Sequence, residues 1–572
     1  ALRRQSVHRS ILRYSKSVIS GFFRGYPSVH RCDSSKTKGL LISEMYVMKC
    51  TRRCMMSCRQ VINTVRISHR STVTDHVGVV SSDAKVAAEV TNDNQVLPID
   101  CIPGPRQIPL FGTIWQYFPG GRFHGMDLKS SMAALYKLYG PVVKESLPAG
   151  KTVVHVFHPE DTQTVARVDG RAPTRYAFFL LSQYYKRNRL LPGLITSQGE
   201  RWRKLRTHVQ EKMMKPKSVT VYLKGQEAVA DDMIKAIYRM KNSDMEVKDM
   251  RDTLYTFAAE SIGVVCFDTR LELFNSIDGQ SEVENLVSAI KTLMKITYNE
   301  TRGLPLYLIF NTPTMRRMTE VMTYIRSLAE KYAEKAIQKS KDNTSGTEET
   351  EGNLIPYLLS KEELSHTDVI TIITEFFFAG VDTTAHFLCY ALKSLADHQD
   401  VQEKLFQEIE SLLPNKSPVT LEALSNAKYL KAFIKEAHRF HHITAGTCRT
   451  LNEDIVCSGY HIPKGTFVAV HTHWSCTQDT YHTKPEQFLP ERWLRDSRIE
   501  TSHPFASLLF GFGARSCVGR RFADQESSLA IIKILQNFKV EYHHEDFTSV
   551  RSITLTPTSP LQFRFFDRQM SC

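Results

Sequence analysis

Phe510-Gly511-Phe512-Gly513-Ala514-Arg515-Ser516-Cys517-Val518-Gly519 decides the reading of this chain, and Arg520-Arg521-Phe522-Ala523 continue it. Glycines at 511, 513 and 519 allow tight turns and the close approach of a flat ligand to backbone. Cys517 precedes a helical pattern running through Asp524, Leu529 and Ile532. A cysteine at a helix N-terminus, with amides aimed at it and Arg515 nearby, is held as thiolate. A lone thiolate beside a flat cavity suits axial ligation of haem iron, where sulfur pushes electron density to favour O–O cleavage. A single buried cysteine is ordinarily an inert core residue; ten residues in this order outweigh that reading.

Upstream, Ser365-x-x-Asp368 predicts a capping box, and apolar periodicity over 369–395 predicts a long core helix. Its middle reads Ala379-Gly380-Val381-Asp382-Thr383-Thr384. Gly costs a helix up to about 1 kcal/mol, and Thr hydroxyls compete for backbone carbonyls, which predicts a local opening. Something must fit against such a centre, unless the helix is kinked only for packing. Ile102-Pro103-Gly104-Pro105-Arg106-Gln107-Ile108-Pro109 is stiff and extended, and marks the start of the folded body. Thr152-Val153-Val154-His155-Val156-Phe157 reads as a strand, and 341–353 as a solvated loop. With no repeat and no second linker, 101–572 reads as one large domain, against a length prior of about three or four.

The 572 residues are 42% hydrophobic and 23% charged, which is a globular composition. Mean hydropathy is −0.28, and no apolar run near the roughly 20 residues of a spanning helix stands out. Residues 1–75 hold fifteen Lys and Arg against Asp33, Glu44 and Asp75, a surplus of twelve out of the net +14. The body keeps only +2, so a basic nucleic-acid groove is not expected. The arm is rich in Arg and Ser and poor in acid, like a mitochondrial transit peptide; a disordered basic tail is the bland alternative. Met45 and Met48 are candidate starts, and 76–100 is a polar connector. Twelve scattered cysteines, with Cys54-x-x-x-Cys58 in the arm, form no disulfide framework and indicate a reduced compartment.

At every fixed position the Cys517 segment resembles the cytochrome P450 haem-binding pattern Phe-x-x-Gly-x-Arg-x-Cys-x-Gly. Four further segments agree in order: 379–384 with the oxygen-activating helix, Glu436-Ala437-His438-Arg439 with Glu-x-x-Arg, Pro490-Glu491-Arg492-Trp493 with its partner, and Trp202 to Arg206 with Trp-x-x-x-Arg. The resemblance covers roughly 100–565. It implies a mainly α fold with small β-sheets enclosing haem b, with O2 and reducing equivalents as co-substrates. Cys517 would be the axial ligand, and Trp202, Arg206, Arg449 and Arg515 partners of the haem propionates. Asp382 and Thr383 would relay and hold protons. Glu436, Arg439 and Arg492 would form a structural ion cluster; Glu436 and Arg439, three apart, share a helix face. The chain departs from the pattern at His442 and Leu509, where the family usually has Pro. His438, His441 and His442 read as a solvated helix end rather than a metal cluster.

Cys517-Val518-Gly519-Arg520-Arg521 and the stretch from Tyr184 to Trp202 resemble mitochondrial members, which hydroxylate sterols, secosteroids, ecdysteroids and xenobiotics. That implies a small [2Fe-2S] ferredoxin with its NADPH-dependent reductase, peripheral inner-membrane association on the matrix side, and a lipophilic substrate. Lys431 and Lys435, four apart on one flank, would join Arg520 and Arg521 as the docking face. A microsomal-type enzyme served by a flavoprotein reductase, a haem-thiolate rearranging enzyme and a haem-thiolate sensor are the alternatives.

Overall fold

The computed structural model describes residues 96–568 apart from 110, 149–150, 275–279, 302–304, 343–352, 445, 496–502 and 552. Five helices position the site: Gly199–Met213 (α1), Arg251–Phe267 (α2), His366–Asp397 (α3), Lys428–His441 (α4) and Arg520–Asn537 (α5). Ser365 caps α3 through its hydroxyl while Asp368 returns a hydrogen bond to the Ser365 amide, the reciprocal box read from sequence. Arg201 of α1 adds a 2.6 Å bond to Asp368. α2 and α3 are buried along most of their lengths, which is why both are apolar all round.

The centre of α3 does not open: the helix is continuous through 379–384. Gly380 answers to packing instead, since a Cβ there would come within 2.9 Å of Ile262 Cγ1 on α2. The close approach of two core helices, rather than a break, selects glycine here. α3 is also long and apolar enough to cross a membrane by length and composition, contrary to the sequence reading, but 78% of its apolar window is buried inside the protein.

A four-stranded sheet lies in the order β1 (Val142–Ser146), β2 (Thr152–Val156), β4 (Phe467–Val470), β3 (Thr447–Thr450). β1 and β2 pair antiparallel, β2 and β4 parallel, and β4 and β3 antiparallel. β-Branched residues fill it, as a half-buried pleated surface favours. Three smaller sheets complete a mainly helical architecture.

One unit runs from Val96 onward. The last residues of the expected connector already belong to it: Leu97 donates to Gly459 O at 2.9 Å and accepts from the His461 amide at 2.7 Å. Gly104 lies so near Lys144 O that a Cβ would sit 1.9 Å away, and Pro103 O accepts the Lys144 amide. The basic arm, the rest of the connector and most of 341–353 lie outside the described residues.

Candidate active site

The segment before α5 folds back on itself. The Cys517 amide donates to Phe510 O at 2.9 Å and the Ser516 amide to Gly513 O at 3.1 Å. Gly511 and Gly513 take φ of +73° and +65°, where a side chain would be strained. Gly519 does not need that freedom: its φ is −86°, it caps α5, and its amide serves the Cys517 sulfur. By surface area Cys517 is exposed, yet protein crowds it closely enough that burial dominates its ionisation.

Burial pushes the Cys517 thiol up; the Gly519 amide, then Arg206 and Arg520, draw it back in part. The helix-end amide and nearby cations offset that burial only in part, and the charges that act are Arg206 and Arg520, with Asp524 opposing them, rather than Arg515. A metal cation held at the sulfur would draw the thiol down, since a coordinating thiol is deprotonated outright.

Arg515 turns away from the sulfur and lies over the Trp202 ring at 4.0 Å. Its guanidinium donates to Pro173 O, Leu194 O, Ser197 O and Gln198 Oε1, all of them neutral acceptors. Arg206, on α1 with Trp202, is buried with Gln210 Oε1 and Met214 Sδ as its partners. Arg449 on β3 is engaged differently: Asp169 takes its Nε at 2.8 Å and Phe512 O takes its Nη2. Arg175, which sequence reading missed, joins them, bracketed through its backbone by Gln198. Burial, then Arg175, Arg449 and Arg206, push Arg515 down to about 9, with Asp169 opposing. A buried cation cluster short of carboxylates calls for an anion. With a sulfur ligand beside it, the donor set fits the two propionates and the iron of haem b.

On the facing helix, Thr383 Oγ1 donates to Ala379 O at 2.9 Å, so the hydroxyl is held one turn back along α3. Asp382 is buried and points into protein. Its Oδ1 accepts from Tyr255 OH at 2.8 Å, its Oδ2 from Thr554 Oγ1 at 2.9 Å, and His386 Nδ1 lies 3.4 Å from Oδ2. Burial works to raise this carboxyl, but His386, then Tyr255 and Thr554, hold it below the usual range. Two further acids on core helices escaped sequence reading, although a carboxylate within an apolar helical stripe is a usable signal. Glu375 accepts from Tyr185 OH and the Ile195 amide, and burial pushes it to about 7. Glu526 on α5 accepts from Thr384.

Behind the Cys517 loop, Glu436 sits between two arginines. Arg439 reaches it with Nε at 2.9 Å and Nη2 at 2.7 Å, and Arg492 with Nε at 3.1 Å. The Leu489 amide and Trp493 Nε1 complete the carboxylate, so every strong acceptor direction is used.

The sequence profile of the family described as "Cytochrome P450" matches residues 102–565. The chain is a cytochrome P450. It is 31% identical to "Probable cytochrome P450 CYP44" of Caenorhabditis elegans, over 81% of this chain and 93% of the relative. It is 31% identical to "Cytochrome P450 10" of Lymnaea stagnalis (84% and 88% covered) and 30% identical to "Probable cytochrome P450 12a5, mitochondrial" of Drosophila melanogaster (84% and 94%). Membership makes this P450 a monooxygenase with a haem-thiolate cofactor.

The histidines at the end of α4 are not solvated as expected. His438 stacks on Phe387 at 4.0 Å and meets the edge of Phe510, and burial, then Arg520, push it down to about 3. His441 bonds Ser394 Oγ at 2.7 Å, and His442 bonds Thr472 Oγ1 at 3.1 Å. The helix end faces the core, so aromatic packing replaces water. His442 takes φ +52°, a conformation closed to the proline usual at this place in P450s. No group of three or more metal-ligating side chains gathers among the described residues. Lys431, Lys435, Arg520 and Arg521 are exposed. Lys431 Nζ donates to Ser425 O, whereas Arg520, Lys435 and Arg521 all act on the Asp524 carboxyl.

Proposed function

We propose that this P450 is a mitochondrial-type monooxygenase. It takes electrons from a small [2Fe-2S] ferredoxin and its NADPH-dependent reductase, and inserts one oxygen atom of O2 into a lipophilic, sterol-like or xenobiotic substrate. Cys517 would hold the haem iron through its sulfur. Arg206 and Arg515 would hold the propionates with Trp202 beneath Arg515, while Arg449, expected to join them, is paired with Asp169. Haem, when bound, supplies the activation of O2 and the oxidation of an apolar C–H bond. Asp382 and Thr383 manage protons: the Asp382 carboxylate takes up a proton and passes it on, and Thr383 Oγ1 offers a hydroxyl at the same level of α3. The Glu436–Arg439–Arg492 cluster is structural and steadies the polypeptide behind the thiolate.

The observation that carries the partner is the convergence of Lys435, Arg520 and Arg521 around Asp524, seven residues beyond Cys517. Such a basic rim steers an acidic partner to the thiolate side. Relatives named as mitochondrial support the compartment. Leu306, Leu308, Ile309 and Phe310 are exposed together, an apolar tip suited to peripheral contact with a membrane. Reconstitution decides between electron donors. Turnover of a sterol, ecdysteroid and secosteroid panel with mitochondrial ferredoxin and its reductase is the expected result. Turnover only with a microsomal flavoprotein reductase overturns the partner, and conversion without any reductase makes the chain a rearranging enzyme.

A further inference from the structure

Asp382, Tyr255, His386 and Thr554 form a closed ring of polar groups in the core, each about 1–2% exposed. Tyr255 OH lies 2.8 Å from Asp382 Oδ1 and 3.0 Å from His386 Nε2. Thr554 Oγ1 lies 2.9 Å from Asp382 Oδ2 and 3.2 Å from His386 Nδ1. The protons can be counted. Each hydroxyl has one, and each makes its shorter contact to the carboxylate, so both donate to Asp382. Their oxygens then face the imidazole as acceptors, with both ring nitrogens placed to donate. One arrangement of these contacts sets a carboxylate opposite an imidazole carrying two protons, with Nδ1 3.4 Å from Oδ2.

A second arrangement closes equally well. The proton on Nε2 passes to the Tyr255 oxygen while the Tyr255 proton passes to Asp382 Oδ1. One N–H bond breaks, one O–H bond forms on Asp382, the phenol is restored, and the opposite charges of ring and carboxylate are both neutralised. We propose that His386, acting through Tyr255, is the proton store of Asp382 and a positioning residue for the reaction of this P450. The inference rests on the proposed proton role of Asp382 and Thr383 and deepens it by naming the source.

Further groups face the ring among the described residues. Lys291 Nζ sits 4.7 Å from the centre of the Tyr255 ring and is tied to Asp252 at 2.7 Å. The buried thiol of Cys389 lies near Tyr255, with the Asp249–Arg251 pair acting on it. The half-buried hydroxyl of Thr556 is 3.5 Å from Thr554 Oγ1.

The test uses the haem-loaded full chain reconstituted with ferredoxin and reductase, following NADPH oxidation without substrate from pH 6 to 8.5 in H2O and D2O. Asp382→Asn removes the acid and should slow the reaction by roughly a hundredfold, the lower range for a positioned acid–base group. His386→Asn and Tyr255→Phe should each slow it by roughly tenfold, flatten its pH profile and enlarge its solvent isotope effect, with the thiolate CO band intact. If Asp382→Asn slows turnover but His386→Asn and Tyr255→Phe keep the wild-type rate and pH profile, the store is wrong and the acid role stands. If Asp382→Asn is also without effect, the acid role itself falls. Should His386→Asn fail to fold, Tyr255→Phe decides alone, because it keeps the ring packing and breaks the wire.

Discussion

Thr384 Oγ1 donates a 2.7 Å hydrogen bond to Glu526 Oε1, joining the distal helix α3 to the helix that follows the thiolate loop. Glu526 stands nine residues beyond Cys517, so one contact ties the two sides of the site. A polar chain continues from it: Ser261 serves Glu526, Gln226 donates to Ser261 Oγ at 2.9 Å, and Gln525 to Gln226 Oε1 at 2.8 Å.

Burial raises the Glu526 carboxyl from the usual 4.5 to about 7. A folded-state value raised in this way favours folding below about pH 4.5, and that contribution is lost as pH rises through about 7. The loss is on the order of 3 kcal/mol for a shift of this size. Glu526→Gln keeps an acceptor for Thr384 and cannot ionise. Its melting temperature should therefore fall less than wild type between pH 5 and 8 by calorimetry, and parallel profiles would contradict the burial argument.

Cys517→Ala should fold but lose the thiolate-type absorption of the reduced, CO-bound protein. An unchanged band in that variant removes Cys517 from the iron.

Thr383→Ala should bind haem and keep α3, since one net hydrogen bond to Ala379 O is worth about 1 kcal/mol. Product formed per NADPH should drop roughly tenfold with a matching rise in peroxide, because the hydroxyl at the proton path is gone. Full coupling would move that path elsewhere.

Glu436→Gln leaves Arg439 and Arg492 buried without their carboxylate, a loss of about 3–5 kcal/mol. Burial would raise Glu436, but Arg439 foremost holds it below the usual range. Its contribution is thus present above the ordinary carboxylate range and lost as pH falls through the depressed value. Wild type should show an acid unfolding step below about pH 4 that the variant lacks, measured by tryptophan fluorescence and haem release.

Neutralising Lys431 and Lys435 together should slow ferredoxin association and flatten its ionic-strength dependence, with the CO spectrum unchanged. Lys435→Gln alone should have the larger effect, because Lys431 spends its ammonium on Ser425 O. Stopped-flow association rates at two salt concentrations separate the variants. Equal slopes for the double variant and wild type would relocate the docking face.

Local patterns were legible wherever cause and effect lie within a few residues. The Ser365–Asp368 box, the glycine turns before Cys517 and the Glu436–Arg439 pair on one helix face follow from spacing alone. Gly380 was legible as special but not in its cause, because Ile262 approaches from a helix more than a hundred residues away. The histidines after Glu436 were misread for the same reason: polarity pointed to solvent, and Phe387 and Phe510 supplied a stacking slot instead.

By itself the sequence determined the family, the thiolate candidate and four of the five helices that carry the site, because each rests on residue types at fixed short spacings; α2, which brings Tyr255, was not among them. Tertiary structure decided where charges go. It gave Arg449 to Asp169, 280 positions distant, and turned Arg515 toward the 193–198 segment. It also enclosed Asp382 with Tyr255 and Thr554, 127 and 172 positions away. A buried charge must find a partner wherever packing brings one, and packing is a property of the whole fold.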